Sequence, residues 1–211
     1  MRPLLRFVLA PTLLAALPAL ALAGPPLICE PFDIGTARSL PIGPAGGGWS
    51  ATDPSYDRSR LVADTLALLA PATPTLVRME TLRRATMYVG KDDAAARRLL
   101  AALQERAATA RPGRDAAIAR FDVGYLVETY RQLSGPDRPL AHVIGSLDGY
   151  AMTTEALRVV QDDPAMHFAA ALMTMGGPHA SEHLKHVRAA RDAAGRDVLL
   201  AKNVRTHLRD A

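Results

Sequence analysis

The chain has 211 residues, a formal net charge of +4 and a single cysteine. Its length suits one domain or two small ones. One cysteine excludes an internal disulfide and any Cys-x-x-Cys chemistry. The arginines are scattered over helix-forming stretches without interleaved aromatics, a pattern that argues against nucleic-acid binding.

Met1 to Arg6 is short and basic, Phe7 to Leu20 is apolar and uncharged, and Ala21-Leu22-Ala23 offers small residues before Gly24. That pattern predicts a signal peptide over residues 1–23 and an exported protein, periplasmic or secreted. An uncleaved anchor is the alternative, against which Pro11 and Pro18 count. Lipidation at Cys29 is a third, but Leu27-Ile28 lacks the small residue expected before a lipidated cysteine. Removing Arg2 and Arg6 lowers the charge from +4 to +2. No transmembrane segment is expected in the mature chain.

Residues 24–57 read as an extended arm. Six prolines and the Gly46-Gly47-Gly48 run oppose a helix or a central strand. Yet the arm carries Leu27, Ile28, Phe32, Ile34, Leu40, Ile42 and Trp49, which a free linker would lack. It is expected to dock on the helical domain that follows, a partner protein being the second candidate. Cys29 is either a small packed residue or a reactive thiol.

Residues 58–211 read as a helical domain. Helices are predicted at Arg58–Ala70, Thr75–Val89, 93–108, 114–133, Ser146–Gln161, 164–175, 178–194 and 197–209, from apolar positions recurring at three- and four-residue intervals. Pro71, Gly90, Arg111-Pro112-Gly113 and Gly176-Gly177-Pro178 separate them. Asp92-Asp93 and Asp163 are expected to cap, and Gly124 weakens the middle of the fourth. Ser134 to Gly145 is expected to be a loop. Met166, Met173 and Met175 are expected in the core, although they could line a small-ligand pocket.

Val89-Gly90-Lys91-Asp92-Asp93-Ala94-Ala95 aligns with Val159-Val160-Gln161-Asp162-Asp163-Pro164-Ala165 at an offset of 70 residues, close to twice a period of roughly 34. On these residues the stretch 75–175 resembles the tetratricopeptide-like helical-hairpin repeat proteins. The fold that the resemblance implies is all-α, with stacked antiparallel helical hairpins in an α-solenoid-like arrangement. Such stacks create a concave groove suited to an extended segment.

His179-Ala180-Ser181-Glu182-His183-Leu184-Lys185-His186 is the sharpest chemical feature. On a helix His179, His183 and His186 would share one face, where imidazoles can bind zinc. The segment is similar to the His-x-x-Glu-His pattern of inverzincin metallopeptidases. The similarity implies His179 and His183 as ligands and Glu182 as the base. That family takes a third ligand from a downstream glutamate, and no glutamate follows Glu182. The same residues also fit a helix with an apolar stripe of Ala180, Leu184, Val187, Ala190 and Ala194, flanked by the histidines.

The expected function is therefore non-catalytic: an exported module that binds or scaffolds a protein or peptide. Phe32, Ile34 and Trp49 would fill its groove in cis. The alternative is a metal-binding protein or metal-dependent hydrolase built on His179, His183 and His186. No cofactor is expected, with zinc the one candidate.

Overall fold

The computed structural model describes residues 26–44, 47–133, 140–161 and 163–209. The signal-peptide segment lies outside the described residues. Among those described there are helices and no strand: α1 Leu61–Leu68, α2 Thr75–Val89, α3 Asp93–Thr109, α4 Arg114–Leu133, α5 Ala141–Ile144, α6 Gly149–Val160, α7 Pro164–Met173, α8 His183–Ala194 and α9 Val198–His207. None is long and apolar enough to cross a membrane.

The helix ends follow local chemistry. The carboxylates of Asp92, Asp148, Asp163 and Asp197 accept backbone N–H groups at the starts of α3, α6, α7 and α9, satisfying donors that have no intrahelical partner. Pro164 takes the first position of α7, where its missing N–H costs nothing. In the aligned pair of turns the capping residues are Asp92 and Asp163, so the caps lie 71 residues apart rather than 70.

Several bounds differ from those expected. Arg58–Arg60 forms a 3-10 turn, and α1 stops at Leu68. Ala141–Ile144 is a short helix inside the expected loop, of which residues 134–139 lie outside the described residues. Helix α6 starts at Gly149 because Asp148 is its cap. On α3 the buried face runs through Ala96, Leu99, Leu100 and Leu103, with Ala95 only half-buried. Met166 and Met173 are core, while Met175 is 42% exposed.

Helices α2 and α4 occupy the middle. All but one of the fifteen residues of α2 are buried, the exception being Arg84. Helix α4 packs against α2, α3 and α6 and buries Phe121, Tyr125, Leu126 and Tyr130. An amphipathic helix would leave a polar face in water, but α2 carries Arg78, Glu80, Thr81, Arg83 and Thr86 into the interior. Each such group must find a partner inside. Thr86 does so by donating to Leu82 O and meeting Thr129 Oγ1 at 2.8 Å. Arg78 donates to Thr73 O, to Ala70 O and, at 2.6 Å, to Asp122 of α4. This ties the loop between α1 and α2 to the core.

Gly124 is not a break in α4 but the point of closest approach to α6. A Cβ there would lie 2.6 Å from Gly149 O and 2.9 Å from Met152 Cβ, and a Cβ on Gly149 would collide with Gly124 O. Backbone meets backbone, and neither side can yield as a side-chain tip could. We therefore expect Gly124→Ala to cost about 2–3 kcal/mol in denaturant unfolding. Gly195→Ala, in right-handed helical conformation with nothing nearby, should be neutral or slightly stabilising. Equal effects of the two substitutions would contradict this packing.

Candidate functional site

The first candidate region is the contact between the N-terminal residues and the helices. The described residues between 26 and 57 hold no helix or strand, yet Leu27, Ile28, Phe32, Ile34 and Leu40 belong to the hydrophobic core. Phe32 meets Phe168 edge-on at 5.9 Å and stacks on His207 at 4.8 Å between centroids. Trp49 is 43% exposed. Of the three residues expected to dock, Phe32 and Ile34 are thus buried, and Trp49 faces outward.

The main chain of this segment is held by side chains. Glu80, fully buried, accepts from Phe32 N at 3.0 Å, from Arg83 Nε and Nη2 at 2.8 and 2.9 Å, and from Arg84 Nε at 2.7 Å. Four donors match the roughly four acceptor positions of an ionised carboxylate. Arg83 then donates Nη1 to Ile28 O at 3.2 Å and to Trp49 O at 3.1 Å. Asn203 of α9 accepts from Asp33 N at 2.9 Å and donates to Asp33 O at 2.8 Å. Gln132 accepts from Leu27 N at 2.8 Å. Tyr88 donates its hydroxyl to Pro41 O and accepts from Asp53 N.

Cys29 is half-buried and unpaired. Burial first, and the Glu30 charge second, push its thiol up, which lowers the thiolate fraction that a nucleophile needs.

The second candidate region is the histidine segment. Gly177–Glu182 is a 3-10 turn and α8 begins only at His183. The tighter turn breaks the helical phase assumed for His179, His183 and His186. His179 stacks on Tyr150 at 4.4 Å and sits 3.3 Å from Asp148. His183 Nδ1 lies 3.0 Å from Ala171 O. His186 is buried, with Nε2 2.9 Å from Tyr150 Oη and Nδ1 3.0 Å from His167 Nδ1. Leu184, expected in the apolar stripe, is 55% exposed, and His186 takes the buried place beside Val187 and Ala190. Glu182 pairs with Lys185 at 3.3 Å. Among the described residues no group of three or more His, Cys, Asp or Glu side chains could hold a metal ion. Two imidazoles converge, from His167 and His186.

Glu80, Arg83, Arg84, Asn203, Gln132, Tyr150 and His167 were not legible as site residues. The one available signal was α2 itself, whose charges at 78, 80, 83 and 84 leave it no consistently polar side.

No protein-family model, curated protein or solved structure matches this chain.

Two buried groups titrate in opposite senses. Burial, with His167 and Lys185 adding to it against Glu182, lowers His186 from 6.5 to about 4. A base whose folded pKa is depressed destabilises the fold as pH falls from 6.5 toward 4. Burial of Asp122 outweighs Arg78 and Arg106 and raises its carboxyl from 3.8 to about 6. An acid whose folded pKa is raised stabilises the fold as pH falls from 6 toward 4. Each full shift is worth about 3 kcal/mol, and the two oppose one another. As pH falls from 6.5 to 4, unfolding free energy should therefore change more favourably in His186→Asn than in the wild type, and less favourably in Asp122→Asn. Identical slopes in all three proteins would contradict the assignment.

Proposed function

We propose that this protein is an exported, periplasmic or secreted, non-catalytic helical module that binds an extended protein or peptide segment. The reading takes the helices as stacked hairpins and residues 24–57 as an arm that fills their groove in cis. The observation that carries it is the way residues 26–53 are held. Asn203 takes both the N–H and the C=O of Asp33, Glu80 takes the Phe32 N–H, and Arg83 takes the Ile28 and Trp49 carbonyls. Side chains that pair with main-chain groups hold an extended chain largely independently of its sequence. Apolar sites such as that of Phe32 against Phe168 and His207 add selectivity.

The metal reading has two convergent imidazoles, at His167 and His186, rather than the three expected on one helix face. The observations therefore favour binding of a chain over metal-dependent chemistry.

An exchangeable segment is the consequence to test. In the full chain carrying Phe32→Ala and Ile34→Ala, the cis segment loses two buried anchors. A labelled synthetic peptide of residues 26–44 should bind this variant about tenfold more tightly than the wild type, because less cis competitor is in place. Fluorescence anisotropy reads the binding and circular dichroism checks that the variant keeps its helices. A helical variant that binds no peptide would contradict the proposal.

A further inference from the structure

Charge is unevenly placed along the chain. Residues 24–182 hold sixteen Lys or Arg against eighteen Asp or Glu, a net of −2. Residues 183–211 hold seven against three, a net of +4. Beyond the expected signal peptide, the whole positive excess therefore lies in the stretch that forms α8 and α9. Such asymmetry points to a surface that meets an anionic partner.

The two helices set these bases out on their outer faces. On α8, Leu184, Arg188 and Arg191 recur at steps of four and three. On α9, Val198, Lys202 and Arg205 do the same, and Arg209 follows just beyond its end. That spacing puts each set on one face, and all seven residues are exposed. Arg191 donates Nη2 to Leu208 O at 2.6 Å, which brings the α8 set beside the end of the α9 set.

Most of this charge is uncompensated. Lys185 pairs with Glu182 and Lys202 with Asp33, each at 3.3 Å. Arg188, Arg196, Arg205 and Arg209, all exposed, pair with no carboxylate among the described residues. Asp197 is committed to capping α9, and Asp192 lies exposed between Arg188 and Arg196 in sequence. With Arg191, five guanidinium groups thus stand against two carboxylates. An exposed aliphatic side chain opens each set, Leu184 at 55% and Val198 at 73% exposure. Residues 183–211 contain no Phe, Tyr or Trp on which a nucleic-acid base could stack. Bases beside exposed aliphatic side chains suit a bilayer, whose headgroups take the charge and whose acyl boundary takes the apolar tips.

We propose that the outer surface of α8 and α9 docks on an anionic lipid bilayer. Arg188, Arg196, Arg205 and Arg209 meet lipid phosphates, and Leu184 and Val198 enter the interface. Neither helix inserts, because Val187 and Ala190 of α8 and Leu200 and Val204 of α9 are buried in the core. The attachment is therefore peripheral and weakened by salt. It uses faces of α8 and α9 other than the one that presents Asn203, and it stands whether or not the peptide-binding reading holds.

The test uses the chain from Gly24 onward, which contains every described residue, so that the apolar stretch 7–20 cannot itself bind lipid. Flotation is run with vesicles of phosphatidylcholine alone and of phosphatidylcholine mixed with phosphatidylglycerol. Binding to the anionic vesicles only, falling as salt rises, is expected. Arg188→Gln combined with Arg205→Gln should weaken it about twentyfold, at about fivefold for each base near the surface. Circular dichroism checks that this variant keeps its helices. Arg97→Gln combined with Arg98→Gln, at exposed positions of α3, changes the net charge equally and should leave binding unchanged. Leu184→Ser combined with Val198→Ser should weaken binding severalfold at fixed salt. Equal binding to both kinds of vesicle, no binding to either, equal losses in the two arginine variants, or displacement from the anionic vesicles by duplex DNA at equal phosphate concentration would overturn the proposal.

Discussion

The carboxylate of Glu80 organises the molecule. It is fully buried on the central helix α2 and accepts from Phe32 N, from Arg83 twice and from Arg84. A buried charge survives only when paired and fully hydrogen-bonded. Glu80 meets that condition by recruiting its own helix and a residue 48 positions earlier in the chain. Arg83, neutralised by Glu80, is then free to take the Ile28 and Trp49 carbonyls. The N-terminal residues, which make no ladder hydrogen bonds of their own, find acceptors and donors there. Apolar burial of Leu27, Ile28, Phe32, Ile34 and Leu40 supplies the driving force; the polar groups of α2 set the register.

The other polar contacts of α2 work in the same way on a second stretch of chain. Arg78 gathers the Ala70 and Thr73 carbonyls and pairs with Asp122. One helix thus fixes the loop before it and the segment that begins the described structure. Close packing of α4 on α6 through Gly124 and Gly149 completes the interior without a disulfide. The two regions differ in one respect. Around Glu80 every acceptor position is used, whereas around Asp122 one oxygen and one guanidinium N–H are left over.

Much of the helical pattern was legible in the sequence. The bounds of α2 and α4 follow from periodicity and from Gly90 and Pro112-Gly113, and the caps at Asp92 and Asp163 follow from side-chain chemistry. What was not legible depends on partners far away in sequence. Nothing local marks the charges at Arg78, Glu80 and Arg83 for burial, because their partners are Asp122, Phe32 and Ile28. The phase of the histidine segment was misread because Gly177–Glu182 winds as a 3-10 turn. That turn buries His186 against Tyr150 and His167 and turns Leu184 outward.

The central claim is that Glu80 and Arg83 hold the N-terminal segment as part of the core. Amide hydrogen exchange at Phe32 and Asp33 tests it most directly, because their N–H groups donate to Glu80 and Asn203 and to nothing else in the account. In the wild type both amides should exchange as slowly as those in the middle of α2, opening only with global unfolding. In Glu80→Gln the Phe32 amide should lose that protection. Exchange of Phe32 and Asp33 at unprotected rates in the wild type, while α2 stays protected, would show that the segment is not held and would contradict the account.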